Sequence, residues 1–264
     1  MIKTGARLLS RAALRFTLPF LLIAAGCGRG GEPGLPVDSK YPAPKQPASA
    51  DPPGSISGTI TLVGPVPQLQ TRPVTVDVQA CGKADHPNRS LSIGADKGVA
   101  EAVVTLEDLP APSPADPSET FSIDQKGCEF LPRVQIVPRG ARLTVLNSDP
   151  VSHNARAADA SNVTLFNVAT PVIGSRAEGS LSVAGPVRVK CDVHPWMIAW
   201  VYVAEHPAVL TDVNGRFVLK NVPPGPHRLR VWHELLTSLG AEVTVETGKE
   251  TIVKAVLSVD GRPG

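Results

Sequence analysis

From Ser55 onward, the chain is a succession of short apolar runs separated by turn residues. Runs of Val, Ile, Leu and Thr with alternating polar positions are typical of half-buried β-strands, and Gly, Pro, Asn and Asp end most of these runs. The segments predicted as strands are SISGTITLVG, VTVDVQ, VAEAVVTLEDL, VQIVPRGARLTVLNSDP, LSVAGPVRVK and AWVYVAE. This rhythm predicts an all-β protein with a sandwich architecture.

The strand rhythm changes near residue 206, where we expect a second, smaller body. An Asn214-Gly215 pair between two apolar runs predicts a tight turn, and a further hairpin is predicted around Thr247-Gly248. We therefore assign residues 55–205 to a first sandwich with extra N-terminal strands. Residues 206–264 are predicted to form a small second β-sandwich, which lies near the lower size limit for independent stability and is expected to pack on the first.

The first 27 residues have the pattern of a bacterial export signal. Several basic residues precede an apolar run, Phe16 to Ala25, that is too short to span a bilayer comfortably. The run ends in IAAGC, which resembles a lipobox and makes Cys27 the expected lipidation site. An ordinary signal peptide with an incidental cysteine is the alternative. We expect an exported protein anchored at the periplasmic face of the outer membrane, because the residue after the cysteine is not an acidic retention signal.

Residues 28–54 are rich in proline and glycine and poor in large apolar side chains. Such a segment cannot bury enough surface to offset its chain entropy, so it is predicted to be a disordered tether.

The overall charge argues against a nucleic-acid partner. The chain has 26 Lys and Arg against 24 Asp and Glu, a formal net charge of +2. No basic stripe with interleaved aromatic residues accompanies this balance.

The four cysteines have different expected roles. If Cys27 carries lipid and Cys191 takes part in chemistry, Cys81 and Cys128 remain, and an oxidising compartment favours a disulfide between them. Other pairings, or free buried thiols, are the alternatives. The chain has neither a C-x-x-C-H haem motif nor paired C-x-x-C motifs, which excludes c-type haem and zinc ribbons.

The segment CDVHPWM contains the most specific chemical pattern in the sequence. Alternating valines place Cys191 at the core-facing end of a strand, and His194 and Met197 follow on the next loop. A second histidine, His153, follows the predicted strand 142–146. Two imidazoles, one thiolate and a weak axial thioether are the ligand set of a blue-copper centre. Zinc is disfavoured because thioether is a poor zinc ligand and only one thiolate is present.

These motifs resemble the cupredoxins, and C191-x-x-H194-x-x-M197 is most similar to the amicyanin subgroup. Asn154, directly after His153, matches the family asparagine that ties the ligand strands together by hydrogen bonds. The resemblance covers residues 95–203 and implies a Greek-key cupredoxin sandwich holding one type 1 copper. Arg133 departs from the family pattern, in which histidine often stands at this position.

The tail resembles a carboxypeptidase-regulatory-like domain with a prealbumin-like sandwich. The segments that carry this resemblance are VAEHPAVLTDVNGRF, VPPGPHRLRVWHE and the opening SISGTI. The whole chain is similar to plastocyanin-like, methylamine-utilisation-type exported proteins of bacteria.

The resemblance implies an electron carrier and not an enzyme. Electrons would pass through His194, and Pro195 and Trp196 beside it would form an apolar patch for a redox partner. The alternatives are a copper-holding, sensing or delivery module and a non-redox adhesion or scaffold protein. A Cys191–His194 nucleophile pair is disfavoured, because it lacks an orienting third group.

The remaining histidines are expected to lie outside the metal site. His86, His206 and His227 are predicted to be solvated, whereas His233 and its neighbour Trp232 are predicted to pack between the domains or at a strand end.

Overall fold

The computed structural model describes residues 51–110, 119–237 and 239–259, and β-strands dominate them. The predicted all-β class is confirmed. The strands are β1 (Gly54–Leu62), β2 (Val103–Leu106), β3 (Phe121–Gln125), β4 (Phe130–Leu131), β5 (Val134–Pro138), β6 (Arg142–Asn147), β7 (His153–Ala158), β8 (Thr164–Thr170), β9 (Arg176–Ser180), β10 (Gly185–Lys190), β11 (Ile198–Ala204), β12 (Ala208–Leu210), β13 (Arg216–Val222), β14 (Gly225–Trp232), β15 (Leu239–Val245) and β16 (Glu250–Leu257). A one-turn helix, α1, spans Val78–Cys81, and a 3-10 turn spans Ala95–Lys97.

The predicted signal peptide, Cys27 and residues 28–50 of the predicted tether lie outside the described residues. Within the described part, none of the helices has the length and apolar character needed to cross a bilayer.

The first sandwich consists of a five-stranded sheet, in the order β5-β11-β10-β7-β8, and a four-stranded sheet, in the order β4-β3-β6-β9. One apolar cluster fills the space between them. Alternation along each strand turns every second side chain inward, so Ile123 and Leu143 of one sheet meet Val187 and Val189 of the other, all at 0 % exposure.

The second sandwich pairs a three-stranded sheet, β13-β1-β16, with a four-stranded sheet, β12-β2-β14-β15. Its core is a separate cluster, to which β1 contributes Ile56 and Ile60 and β14 contributes Leu229 and Val231. Both sandwiches therefore have a core of their own.

The strand pairing differs from the predicted boundaries, which assigned residues 55–205 to the first sandwich. β1 is the central strand of its sheet, antiparallel to β13 and parallel to β16, and β2 lies between β12 and β14. The first sandwich is thus inserted between two segments of the second. The physical reason is size: without β1 and β2, β13 would not be joined to β16, and β12 would not be joined to β14, so strands β12 to β16 would be too few to close a core.

The Asn214-Gly215 turn forms as predicted, between β12 and β13. Gly215 has φ 74°, and a Cβ there would lie 2.3 Å from the Ile60 carbonyl oxygen, so glycine is required. The predicted hairpin around Thr247-Gly248 is wrong as a pairing, because β15 pairs with β14 and β16 pairs with β1 in the opposite sheet.

Aromatic and ionic contacts connect the two sandwiches. Trp200 of β11 contacts Trp232 of β14 edge-to-face, with ring centroids 5.3 Å apart. The Trp200 Nε1–H donates to Glu234 Oε2 at 2.8 Å, and Glu234 also forms an ion pair with Arg133. A second carboxylate, Glu101, accepts from Arg133 at 2.6 Å. The residue that departs from the family pattern, Arg133, thus bridges the two sandwiches.

His233 lies beside this contact and is only 4 % exposed. Its Nδ1 accepts from the Leu235 N–H at 3.2 Å, and its buried Nε2 has no hydrogen-bond partner among the described residues. Burial, together with the nearby positive charge of Arg133, lowers the pKa of His233 from 6.5 to about 4.

We expect His233 to make folding stability pH-dependent. Because its pKa is lower in the folded state, the unfolded chain binds the proton first as pH falls below 6.5, and the stability contribution is lost progressively down to about pH 4. Between pH 7.5 and 5.0 the loss from this residue is about 2 kcal/mol. In His233→Leu, the free energy of unfolding measured by urea denaturation should fall by about 2 kcal/mol less than in the wild type over this pH range. An unchanged dependence would contradict the burial of a neutral ring.

Candidate metal centre

The loop between β10 and β11 is closed by its own backbone. The Met197 N–H donates to the His194 carbonyl at 2.9 Å, and the Cys191 N–H donates to the Met197 carbonyl at 3.2 Å. Cys191 directly follows β10. It continues the alternation of inward-facing positions that Val187 and Val189 begin, and it is 1 % exposed. The predicted inward orientation of Cys191 is therefore confirmed.

His153 reaches the same place from the neighbouring strand. It is the first residue of β7, which pairs with β10 on one side and with β8 on the other. The ring is 1 % exposed, and His194 is 0 % exposed. Two adjacent strand ends in one sheet thus bring together residues about forty positions apart in sequence.

Three potential ligand atoms converge in this buried region. The two Nδ1 atoms of His153 and His194 are 2.9 Å apart. Cys191 Sγ lies 3.6 Å from His194 Nδ1 and 4.0 Å from His153 Nδ1.

The far nitrogen of His153 is held by a carboxylate. Asp149 Oδ2 lies 3.0 Å from His153 Nε2. The same carboxylate is 6 % exposed and accepts the backbone N–H groups of Gly127 and Cys128 at 2.6 and 2.8 Å. Asp149 therefore orients His153 from a fixed position.

His194 has an equivalent partner from a distant segment. Asp77 Oδ2 lies 3.0 Å from His194 Nε2, and the Asp77 side chain is 42 % exposed. Each histidine thus has one ring nitrogen on a carboxylate and the other directed at Cys191.

This arrangement fits a bound metal cation. A neutral imidazole carries one N–H, and when Nε2 donates that hydrogen to a carboxylate, Nδ1 presents a lone pair. Two such lone pairs 2.9 Å apart repel each other unless a cation or a shared proton lies between them. Burial and the adjacent His194 lower the pKa of His153, which keeps that ring neutral and able to bind a metal over a wider pH range.

Met197 lies on the same loop as Cys191 and His194, and in the same apolar cluster as Cys191. It is 1 % exposed, and its backbone bonds to both His194 and Cys191. Its predicted role as the axial ligand stays a prediction.

Asn154 ties the two ligand-bearing segments together, as the resemblance implies. Its Oδ1 accepts the Asp192 N–H at 2.7 Å and lies 3.4 Å from Cys191 Sγ. Its Nδ2 donates to Asn167 on β8 at 2.8 Å. The side chain therefore joins β7, β8 and the cysteine loop.

The apolar patch predicted around His194 is not formed as expected. Pro195 is exposed, but Trp196 is only 7 % exposed and His194 is fully buried. The Trp196 ring stacks on His86 and donates its Nε1–H to the Cys128 carbonyl at 3.1 Å. Residues 72–86, a segment without a recognisable motif, cover His194 and Trp196 instead.

Cys81 and Cys128 form a disulfide, the pairing that cysteine counting favoured.

The histidines outside the metal centre are more buried than the sequence predicted. His227 is 5 % exposed and lies 2.8 Å from Asp108, and His86 is part-buried, so the predicted solvation of these two residues is wrong. His206 is part-buried as well, with its Nδ1 2.7 Å from the Leu109 carbonyl oxygen, so its predicted solvation is also wrong. Trp232 and His233 lie at the contact between the sandwiches, as predicted.

Sequence reasoning missed both carboxylates of the site. Asp149 could have been found, because it stands four residues before His153 in the Asn-Ser-Asp-Pro loop. Asp77 carries no local signal, since its proximity to His194 depends on a chain reversal and a disulfide.

No protein-family model and no curated protein matches the chain. Similar solved structures include a purple cupredoxin from Nitrosopumilus maritimus, with 26 % identity and a TM-score of 0.29 over 32 % of this chain and 99 % of that one. The Cu-containing nitrite reductase NirK from Thermus scotoductus SA-01 has 23 % identity and a TM-score of 0.29 over 36 % of this chain and 25 % of that one. Amicyanin from Paracoccus versutus has 15 % identity and a TM-score of 0.30 over 38 % of this chain and 97 % of that one. The likeness is confined to about a third of this chain.

We expect Asp149→Ala to destabilise the metal-free protein by about 3 kcal/mol or more, because it leaves two backbone N–H groups and the His153 Nε2–H without an acceptor. Asp124→Ala is the control, since Asp124 is part-exposed and its carboxylate accepts one hydrogen bond among the described residues, from Ser148 at 2.8 Å, while its Oδ1 has no partner there. It should cost less than about 1 kcal/mol. Chemical denaturation measures both, and equal losses would contradict the anchoring role of Asp149.

Proposed function

We propose that this protein is an exported, mononuclear type 1 copper protein that carries single electrons. The observation that carries the proposal is the buried convergence of His153 Nδ1, His194 Nδ1 and Cys191 Sγ, with each Nε2 already held by a carboxylate. Copper bound there would cycle between Cu(II) and Cu(I).

The ligand types favour copper over other metals. A thiolate, two imidazoles and a weak thioether are the donor set of blue-copper sites. In this proposal Met197 would supply the thioether sulfur and Cys191 the thiolate. A structural zinc site would instead require four strong ligands, and the group around Cys191 provides three.

Burial supports electron transfer over catalysis at the metal. Cys191, Met197 and the two histidines are each no more than 1 % exposed, which leaves little room for a substrate beside the ligands. Fixed ligands also keep structural change small when the charge of the metal changes. We therefore propose a carrier and not an enzyme.

The proposed exit for electrons runs from His194 through Asp77 to the surface. The Asp77 carboxylate contacts the His194 ring, and the Asp77 side chain is 42 % exposed to solvent. Its neighbours Val76 and Val78 are each 39 % exposed. A redox partner would dock on the surface formed by residues 76–78 and not directly on His194, through the small interface typical of electron-transfer encounters.

The proposed location is the periplasmic face of the outer membrane, through a lipid on Cys27. The signal-like sequence and the proline-rich tether support it, and the Cys81–Cys128 disulfide is compatible with an oxidising compartment. The second sandwich would then be a carboxypeptidase-regulatory-like module.

We expect Cu(II) to produce an intense blue thiolate-to-copper absorption at one equivalent in the metal-free full chain. Cys191→Ser should abolish the band, because it removes the only thiolate in the ligand group. His153→Ala should weaken binding, and Met197→Leu should keep the colour with a shifted reduction potential. His206→Gln, a histidine outside the site, is the matched control and should behave as wild type.

Two results would contradict the carrier. A colourless site that binds only Cu(I) would favour copper holding or delivery, and an absence of stoichiometric copper binding would favour the adhesion or scaffold alternative. Reversible one-electron reduction with an unchanged spectrum on reoxidation is the expected result.

A further inference from the structure

Residues 72–86, called the strap below, form a closed loop over the metal centre. Its ends are joined by a two-way backbone pair, with Arg72 N–H to the His86 carbonyl at 2.8 Å and His86 N–H to the Arg72 carbonyl at 2.9 Å. The two ends of the strap therefore lie side by side, and its middle, at Asp77, lies over His194.

The base of the strap is fixed to the ligand loop. The His86 ring stacks on Trp196 with centroids 5.7 Å apart and an interplanar angle of 13°. The Arg72 guanidinium donates to the Trp196 carbonyl at 3.4 Å and to the Ser90 hydroxyl at 2.8 Å. Trp196, two residues after His194, thus connects the strap to the metal loop.

A covalent bond fixes the middle of the strap. Cys81, at the end of α1, forms the disulfide with Cys128. The Cys128 N–H donates to Asp149, the carboxylate that holds His153. The disulfide therefore connects the segments that supply the outer partners of both histidines.

Asp77 is the strap residue whose side chain contacts His194. It adopts a left-handed conformation, φ 48° and ψ 35°, which aspartate and asparagine tolerate better than most residues. Its carbonyl accepts the N–H groups of Ala80 and Cys81, both at 2.9 Å, so the disulfide-bonded turn restrains its backbone. Its carboxylate lies 3.0 Å from His194 Nε2.

We propose that Asp77 is a positioning residue of the metal centre, which the disulfide-tethered strap holds on the Nε2–H of His194 so that Nδ1 faces the metal. This inference rests on the proposed copper site and deepens it. The negative charge of the Asp77 carboxylate beside the ring would also favour the more highly charged Cu(II) form, and the strap shields the ring edge from water.

Two variants of Asp77 separate the hydrogen bond from the charge. Asp77→Ala removes both, and Asp77→Asn keeps an oxygen acceptor but removes the charge. Asp85→Ala and Asp85→Asn are the matched controls, since Asp85 is an exposed acid of the same strap whose carboxylate accepts from Thr71 at 2.9 Å. Circular dichroism checks that each variant is folded.

The first measurement needs no metal. Hydrogen–deuterium exchange at the His194 ring C2 position, read by mass spectrometry on the metal-free full chain, reports access of water to the imidazole. We expect exchange at least tenfold faster in Asp77→Ala, with Asp77→Asn and both Asp85 variants close to wild type. Equal exchange rates in Asp77→Ala and Asp85→Ala would contradict the contact between Asp77 and His194.

The second measurement uses the copper-loaded chain. Asp77→Asn should raise the reduction potential, and a tenfold loss of preference for Cu(II) over Cu(I) corresponds to about 59 mV for one electron. Asp77→Ala should also lower Cu(II) affinity by about 10- to 100-fold. Asp85 variants should leave both unchanged, and the same potential in Asp77→Asn and Asp85→Asn would overturn the tuning role.

The tether is tested with the double variant Cys81→Ser, Cys128→Ser. It should show faster His194 exchange than wild type, although Asp77 is still present. Wild-type exchange in this variant would contradict the role of the disulfide. A wild-type chain that binds no copper would contradict the proposed function, whereas the metal-free exchange decides the strap contact independently.

Discussion

The structure of the site depends on one constraint, the placement of two buried imidazole rings whose outer nitrogens are both held by carboxylates. Asp149 and Asp77 each lie 3.0 Å from a histidine Nε2. Because these contacts use the ring N–H groups, both Nδ1 lone pairs are directed inward, 2.9 Å apart and beside a cysteine sulfur. Such a group of acceptors is stable when a cation lies among them, and the two carboxylates also offset the charge that the cation brings.

The two carboxylates are held in different ways, which divides the site into a fixed half and a covered half. Asp149 is buried and accepts two backbone N–H groups, so the His153 side belongs to the sandwich core. Asp77 stands on an external loop whose position depends on a disulfide and on stacking against Trp196. The His194 side is thus where the exposure of the site depends on structure outside the sandwich.

The sequence predicted the parts of the site that depend on local spacing and strand alternation. Cys191 faces the core because the valines before it do, and His194 and Met197 follow on a loop too short to separate them. It did not predict the position of β1, whose partners in β13 and β16 lie more than 150 residues downstream. Asp77 was missed for the same reason: non-local pairing leaves no periodic signal in the chain.

The central claim is that Cys191 and the two histidines bind one copper ion together. X-ray absorption at the copper edge of the singly loaded, full-length chain tests it directly, because it identifies the atoms bound to the metal. We expect one short copper–sulfur bond and two imidazole nitrogens in the wild type, and loss of the short sulfur bond in Cys191→Ser. A spectrum with only nitrogen and oxygen ligands in the wild type would contradict the claim.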